Sequence, residues 1–356
     1  MVAIQAAAVT KMGERARLFC TIRRVSVGPV LLLAFAWHSL IAAFAAEPTA
    51  TNNDAATVII IVGAAGDEEF GKDFLQSSVL WESACKTAGA KYFVVGKDAE
   101  TTPTDQDRLK AILENEPKDS PNELWIVLLG HGTFDGRDAK FNFRGPDLSA
   151  EEFGKLLNPF SRPVAFLDCS SASSPFITKL SRAGRVVISA TRSGAEVNYA
   201  RFGQFLSQAM ALPEADLDKD GQTSLLEAYL LASQRVAEFY QGQERLVTEH
   251  PLIDDNGDAT GTPPDWYRGV RAVKKSTTGA VPDGPRAHQF HLVRSARERM
   301  LSAEARHERD ELEMSVVQLR DAKETMGEEE YYAALEVLLL DLAHFYQRNE
   351  PKEGLK

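Results

Sequence analysis

Five short apolar runs follow one another between residues 57 and 190, and most are followed by a stretch with helical spacing. The runs are TVIIIVG (57–63), KYFVVG (91–96), LWIVLLG (124–130), PVAFLD (163–168) and RVVISA (185–190). Continuous apolar runs of this length are typical of strands buried on both faces. Strands that alternate with helices predict an α/β fold with a mainly parallel sheet covered on both sides.

Helical spacing dominates after residue 200. Two helices are predicted at 198–211 and 224–242, and residues 251–284 are rich in Gly, Pro and Asp. Residues 292–348 are charged, with apolar positions three and four apart and a break at Met326-Gly327. This pattern predicts an antiparallel helical hairpin, which is more often a packing or oligomerisation element than a catalytic one.

These patterns divide the chain into five segments. The segments are a signal peptide at 1–45, a polar linker at 46–56, an α/β domain at 57–250, a loop-rich connector at 251–291 and the helical hairpin at 292–348.

The N-terminus has the pattern of an export signal. Arg23-Arg24 precedes an apolar run from Val27 to Phe44, and Ala43-Phe44-Ala45 offers a small-residue cleavage site. We therefore expect an exported protein, periplasmic or extracellular. An uncleaved segment at 27–44 would instead anchor the chain, since its length is near the lower limit for a membrane span.

The charge of the chain excludes one class of partner. Its 356 residues carry a net charge of −11, and we find no basic stripe among the Lys and Arg residues. A nucleic-acid partner is therefore not expected, because phosphate binding needs a basic face.

Three cysteines bear on the chemistry. Cys20 lies in the signal, whereas Cys85 and Cys169 remain after cleavage. In an exported protein these two could form a disulfide, which would exclude a free thiol nucleophile.

Two predicted strand ends carry reactive residues. The third strand ends in Gly130-His131-Gly132 and the fourth in Asp168-Cys169-Ser170. In an open parallel sheet, sites form at the carboxyl ends of the strands. If these strands are neighbours, His131 could activate Cys169 for attack on a carbonyl, and backbone N–H groups near Gly132 could stabilise the oxyanion.

The succession TVIIIVG, LWIVLLGHG, PVAFLDCSS and RVVISATRSG resembles the caspase-like cysteine peptidases, and the legumain family among them. The resemblance covers roughly residues 57–210. It implies a three-layer α/β fold, endopeptidase chemistry and a substrate cleft above the strand ends. His131 and Gly132 match the motif that carries the catalytic His.

The second motif is displaced by one residue. If Asp168 takes the acidic position of the family, Cys169 takes the small position and Ser170 that of the nucleophile. A shift of one residue along a strand turns a side chain to the opposite face. Three alternatives follow: a bent strand end that keeps Cys169 as nucleophile, a catalytically inactive binding module, or a serine nucleophile at Ser170.

The resemblance also implies that the segment after the fifth strand lines a specificity pocket. Here it holds Thr191, Arg192, Ser193 and Glu196. Arg192 could accept an acidic substrate side chain and Glu196 a basic one, although both could equally be surface charges.

The stretch DLDKDGQTSLLE (216–227) fits the EF-hand calcium loop. Gly221 supplies the turn at the sixth position. The predicted oxygen ligands of a structural Ca²⁺ are Asp216, Asp218, Asp220, Gln222 through its backbone carbonyl, Ser224 and Glu227.

A second acidic cluster follows in EHPLIDDNGD (249–258). Asp254, Asp255, Asn256 and Asp258 match no standard loop, so turn formation is favoured over cation binding, and His250 is interpreted as a turn residue.

Together these observations predict an exported, legumain-like cysteine endopeptidase that uses a His131–Cys169 dyad and a structural calcium ion. The alternative is an inactive caspase-like domain that binds peptide or protein segments. The C-terminal hairpin further suggests self-association.

Overall fold

The computed structural model of the chain describes residues 55–99, 102–274 and 281–349. The signal or anchor segment at 1–45 and nearly all of the linker lie outside these ranges. Within them, no helix is both long enough and apolar enough to cross a bilayer.

Eleven strands are formed by the described residues. They are β1 Thr57–Val62, β2 Lys91–Val95, β3 Leu124–Leu129, β4 Gly132–Phe134, β5 Ala139–Phe141, β6 Leu148–Ser149, β7 Val164–Asp168, β8 Arg185–Ser189, β9 Leu252–Asp254, β10 Tyr267–Arg268 and β11 Arg271–Ala272.

Nine α-helices are formed in the same ranges. They are α1 Glu68–Ala88, α2 Asp105–Asn115, α3 Ala150–Leu157, α4 Ser174–Leu180, α5 Phe202–Ala209, α6 Leu225–Gly242, α7 Pro285–His288, α8 Ala303–Ala322 and α9 Glu328–Asn349.

Six strands form the central sheet in the order β2-β1-β3-β7-β8-β9. The first five are parallel and coincide with the five predicted apolar runs, so the predicted mainly parallel α/β sheet is confirmed. β9 pairs antiparallel with β8 and was not predicted, because it is short and lies in a polar, Gly-rich segment.

Helices cover both faces of the sheet, which gives three layers. Along β3, Trp125, Val127 and Leu129 point into one apolar cluster with α1, α5 and α6. The alternate residues of β3 point into a second cluster with α2, α3 and α4. This alternation follows from the two-residue period of a strand.

The helix starts follow local sequence signals. At α3, Ser149 Oγ accepts a hydrogen bond from the N–H of Glu152, and Glu152 Oε2 accepts one from the N–H of Ser149. The spacing of these two residues predicted this capping box. α6 begins with the same device, built from Ser224 and Glu227.

The C-terminal segment packs on the sheet layer before it forms its helices. The Phe290 ring lies 5.8 Å from that of Trp125, and Arg294 Nη2 lies 2.7 Å from both carboxylate oxygens of Glu123. α8 and α9 then run antiparallel, because Arg348 near the end of α9 pairs with Glu308 near the start of α8 at 2.6 Å.

Candidate functional site

The strand register fixes the relative heights of the candidate catalytic residues. Leu128 of β3 pairs with Asp168 of β7, so Cys169 lies level with Leu129. His131 stands two residues beyond Leu129, the last residue of β3, which corresponds to roughly 7 Å if the chain continues at the usual rise of a strand. The thiol therefore lies deeper in the molecule than the imidazole.

The His131 ring sits at the carboxyl edge of the sheet among aromatic side chains. Its centroid lies 5.2 Å from those of Phe70 and Phe74 and 6.1 Å from that of Tyr199. Nε2 lies 3.1 Å from the carbonyl oxygen of Ala65. Among the described residues, no hydrogen bond joins this imidazole to a thiol or a hydroxyl group.

Cys169 is a buried free thiol in the apolar cluster beneath α5. A methyl group built on Gly203 of α5 would come within 2.6 Å of Cys169 Cβ and 3.3 Å of its Sγ. Burial raises the pKa of this thiol well above its ordinary value, and the charges of Asp168 and Glu249 add to the effect. Such a thiol carries little of the thiolate that nucleophilic attack requires.

The one-residue displacement of the second motif does not place Cys169 and His131 on opposite faces of the sheet. We expected Cys169 to point to the face opposite His131, but both side chains contact the layer that contains α1 and α5. Cys169 nevertheless lies deeper below the edge of the sheet than His131, because it comes two residues before Ser171, the residue that is level with His131.

Glu249 fixes the start of α5, which covers the thiol. Its two carboxylate oxygens accept hydrogen bonds from the backbone N–H groups of Arg201 and Phe202, each at 2.9 Å. Tyr240 donates a further bond to the same carboxylate. Burial raises the pKa of Glu249. The sequence pattern does not point to Glu249, because the two N–H groups at the start of α5 lie 48 and 47 positions away in the chain.

The Ser170 hydroxyl is also buried, and it donates to Asp168 Oδ1 at 2.6 Å. Asp168 Oδ1 accepts a second bond from the N–H of Ser170, whereas its Oδ2 is buried without a partner. Burial raises the pKa of Asp168 to about 7. The residue in the aligned nucleophile position is thus held by its acidic neighbour and not by His131.

The backbone N–H and carbonyl groups of Gly132 both form hydrogen bonds as well. Its N–H donates to Ser171 Oγ at 3.2 Å, and Ser171 Oγ donates to the Gly132 carbonyl at 3.1 Å. A side chain on Gly132 would collide with Ser171 and Ser170. The N–H of Gly132, the predicted oxyanion donor, is therefore bonded to Ser171, which follows the end of β7.

Arg192 and Glu196, the predicted specificity residues, pair with each other at 3.3 Å. Glu196 Oε1 lies 2.6 Å from Nδ1 of His250, and Glu196 Oε2 accepts the N–H groups of Arg192 and His250. The Glu196 side chain is 13% exposed, whereas that of Arg192 is 61% exposed. Glu196 joins two loops, and Arg192 offers its guanidinium to solvent.

The predicted calcium loop brings three carboxylates together. Oxygen atoms of Asp216, Asp218 and Asp220 lie within 4.8 Å of one another. Asp216 Oδ2 accepts the N–H of Gly221, while its Oδ1 is buried without a hydrogen-bond partner. Hard oxygen donors around a buried, unpaired carboxylate oxygen fit a calcium ion.

Both carboxylate oxygens of Glu227, the predicted ligand at the last loop position, already accept hydrogen bonds. Its Oε1 accepts the N–H groups of Leu217 and Asp218, and its Oε2 accepts the N–H and hydroxyl groups of Ser224. Bidentate binding of a cation would require Glu227 to exchange these bonds. The side chain of Gln222, whose backbone carbonyl is the predicted ligand, ties the loop to the C-terminal segment: its Oε1 accepts the N–H of Ser295 at 3.0 Å.

In the acidic cluster at 254–258, Asp254 and Asp258 accept nearby N–H groups as in a turn, whereas the bonds of Asp255 reach a distant segment, and Asp254 Oδ2 is buried without a hydrogen-bond partner. Asp254 Oδ1 accepts the N–H of Gly257, and Asp255 accepts the N–H groups of Gly284 and Ala287. Asp283 in turn accepts the N–H of Asp255.

Comparison with known proteins gives structural likeness only. No protein-family model matches the chain, and no curated protein sequence is similar to it. The structure is similar to the Drosophila initiator caspase Dronc, with a TM-score of 0.39 and 16% identity over 67% of this chain and 95% of that one. It is also similar to caspase-1 from Spodoptera frugiperda, with a TM-score of 0.35 and 12% identity over 57% and 86% of the two chains. At TM-scores this low, the likeness assigns neither a family nor an activity.

Proposed function

We propose that this chain is a caspase-like domain that binds peptide or protein segments at its strand ends without cysteine peptidase chemistry. One observation carries the proposal: the only thiol at a strand end, among the described residues, is buried under Gly203 of α5 and forms no hydrogen bond with His131. A dyad needs a thiolate and an imidazole within hydrogen-bond reach. The resemblance of the His-Gly and Asp-Cys-Ser motifs supports the caspase-like assignment.

The strand-end edge retains groups that suit a peptide. His131, Phe70 and Tyr199 are partly exposed there, and Val197, two residues before Tyr199, is 61% exposed. Arg192 adds an exposed guanidinium. A second guanidinium, that of Arg201, lies 5.2 Å from the centre of the Tyr199 ring. Aromatic and apolar surface beside these cations favours segments that combine an apolar side chain with a carboxylate.

Thiol labelling tests the absence of peptidase chemistry. The purified chain is treated with iodoacetamide and with a peptidyl electrophile, in buffer and in urea, beside Cys169→Ala and His131→Ala. We expect no modification of Cys169 in the folded chain and full modification in urea. Labelling of folded Cys169 that disappears in His131→Ala would instead establish the dyad and overturn the proposal.

Peptide binding tests the rest of the proposal. A set of fluorescent peptides with apolar and acidic residues is titrated against the parent chain, Arg192→Ala and Val197→Glu. We expect each substitution to weaken binding about tenfold. The matched controls are Arg235→Ala and Leu246→Glu, which alter exposed residues on α6 and in the loop after it. Equal affinity in all five proteins would exclude the strand-end edge as the binding site.

We also propose a structural calcium ion at the loop 216–227, supported by the three converging carboxylates and the unpaired Asp216 Oδ1. Calcium should raise the melting temperature of the parent chain and leave that of Asp216→Ala unchanged. Asp258→Ala is the control, because it alters the other acidic cluster. No calcium-dependent shift in the parent chain would refute this site.

Export is proposed from the sequence of residues 1–45 alone. Fractionation of cells that express the full chain, with N-terminal sequencing of the product, would show whether the chain is cleaved after Ala45 or retained by residues 27–44.

A further inference from the structure

Arg185, the first residue of β8, is a buried cation without a carboxylate partner. Only 3% of its surface is exposed. Its Nη1 donates to the carbonyl oxygen of Leu180 at 2.8 Å, and its Nη2 donates to that of Leu157 at 3.2 Å. Within the described ranges, no Asp or Glu forms an ion pair with this guanidinium. A buried charge costs free energy unless an opposite charge lies beside it, so the site favours an anion.

The two carbonyl groups account for only part of what Arg185 offers. Leu157 ends α3 and Leu180 ends α4, and carbonyl groups at the end of a helix carry partial negative charge. Together they accept two of the five N–H groups of the guanidinium. The remaining N–H groups form no hydrogen bond with the part of the chain that the structure describes, so they are available to a ligand.

A second guanidinium lies near the first. Arg182 stands in the loop between α4 and β8, where it is exposed and donates to the carbonyl oxygen of Asn158 at 3.1 Å. Burial lowers the pKa of Arg185 to about 10, and the charge of Arg182 adds to this effect. Both groups are therefore protonated at neutral pH. Two like charges at one place repel each other, and an anion bound between them would remove this repulsion.

Arg182 and Arg185 share a small cavity with a third arginine, Arg162. The cavity has a volume of about 110 Å³, and none of the described residues that line it is acidic. Arg162 is paired with the buried Glu116 at 3.4 Å, so the uncompensated charges are those of Arg182 and Arg185. We call this space the arginine cavity. Its other lining residues are Phe160, Ser161, Val164, Ala183 and Gly184.

The size and the charge of the arginine cavity define the class of ligand. Sites for drug-sized molecules measure roughly 300–1,000 Å³, so this cavity suits a small ion. The planar fork of a guanidinium matches the oxygens of phosphate, and charge-assisted hydrogen bonds of this kind are strong. Two uncompensated guanidinium groups match the charge of a dianion.

We propose that the arginine cavity binds one tetrahedral oxyanion of the phosphate type, with Arg185 as its buried anchor and Arg182 as its exposed cover. The anion would join the loop before β7 to the loop before β8. Val164 and Arg185 begin these strands, so the cavity lies at the edge of the sheet opposite to the strand ends that carry His131 and Cys169. The proposal is therefore independent of the function proposed above.

Isothermal titration calorimetry with inorganic phosphate tests the site. The full chain is titrated in calcium-free buffer, and potassium chloride at equal ionic strength gives the baseline. We expect one phosphate to bind per chain. Arg182→Gln should weaken binding about tenfold, because it removes a charge-assisted donor. Arg185→Lys should weaken it at least about tenfold, because lysine keeps the charge but lacks the planar fork.

Arg268→Gln is the matched control, since it removes the same charge from an exposed arginine on β10 and should bind phosphate like the parent chain. Far-ultraviolet circular dichroism shows whether each variant is folded. If Arg185→Lys does not fold, Arg182→Gln decides the test alone, because its side chain is exposed.

Sulfate and O-phosphoserine identify the source of the oxyanion. A site for free anions binds phosphate and sulfate but not O-phosphoserine, whereas a site for phosphorylated side chains also binds O-phosphoserine. Both patterns support the arginine cavity. Two results would overturn it: phosphate that gives no more heat than potassium chloride, or a phosphate affinity that the folded Arg182→Gln and Arg185→Lys variants both retain.

Discussion

At the scale of single residues, the contact between Cys169 and Gly203 decides what the strand ends can do. Glycine allows the backbone of α5 to approach Cys169 Cβ closely, because a methyl group there would lie only 2.6 Å from it. The thiol is buried beneath α5, and this burial raises its pKa well above the ordinary value.

Gly203→Ala should therefore destabilise the fold by about 1–3 kcal/mol, since overpacking outweighs the gain in helix propensity. Urea denaturation measures this change. Gly242→Ala, near the end of α6, is the control: no atom of the described residues lies within 4 Å of the position that its methyl group would take, so the variant should be neutral or slightly more stable. Equal stability of both variants would show that α5 does not press on Cys169.

Asp168 should make stability fall as the pH rises. Its pKa is raised from 3.8 to about 7 by burial, so the native carboxyl holds a proton that the unfolded chain releases. The contribution is complete below about pH 4 and is lost as the pH passes through 7. The free energy of unfolding of Asp168→Asn, relative to that of the parent chain, should therefore increase by on the order of 1–3 kcal/mol between pH 4 and pH 8. A constant difference in the unfolding free energy across this range would contradict the assignment.

The sequence predicted which residues stand at the strand ends but not their depth. His131, Gly132, Asp168, Cys169 and Ser170 all lie at neighbouring strand ends. However, the register between two strands depends on packing far from these motifs. The helix cover over Cys169 could not be predicted either, because Glu249 and Gly203 become neighbours of the thiol only in the folded chain.

At the scale of elements, two helices begin with the same capping box in different surroundings. Glu152 of α3 is exposed, whereas Glu227 of α6 is 1% exposed and accepts two additional N–H groups from the calcium loop. Glu152→Ala should cost about 0.5–1 kcal/mol and Glu227→Ala about 2–4 kcal/mol, because only the second leaves buried donors unpaired.

Chemical denaturation in the presence of a chelator measures both variants without a contribution from calcium. If the two costs are the same, Glu227 is not the anchor of the loop that the hydrogen bonds indicate.

Elements with a continuous apolar pattern were predictable, and elements set by distant partners were not. The five parallel strands are readable because every residue in each run is apolar or nearly so. β4, β5, β6 and β9 have only two or three residues each, so their pairing partners, and not their own pattern, define them as strands.

At the scale of the whole molecule, the boundary between body and hairpin lies later than the sequence pattern suggested. Leu292 is 4% exposed in the apolar cluster, and Arg294 pairs with Glu123. Truncation after Leu301 should therefore leave a folded body, whereas truncation after His291 should unfold it. Thermal melting followed by circular dichroism separates these outcomes, and a cooperative transition in the shorter chain would contradict this boundary.

The pairing of Arg294 with Glu123 spans 171 positions along the chain. The layer around Trp125 can therefore close only after residues up to Arg294 have left the ribosome. Until then the apolar residues of the central strands are not fully covered, and a growing chain can aggregate with other chains through them. We expect that this layer closes late in synthesis, and that production of the protein depends on factors that keep unfinished chains apart.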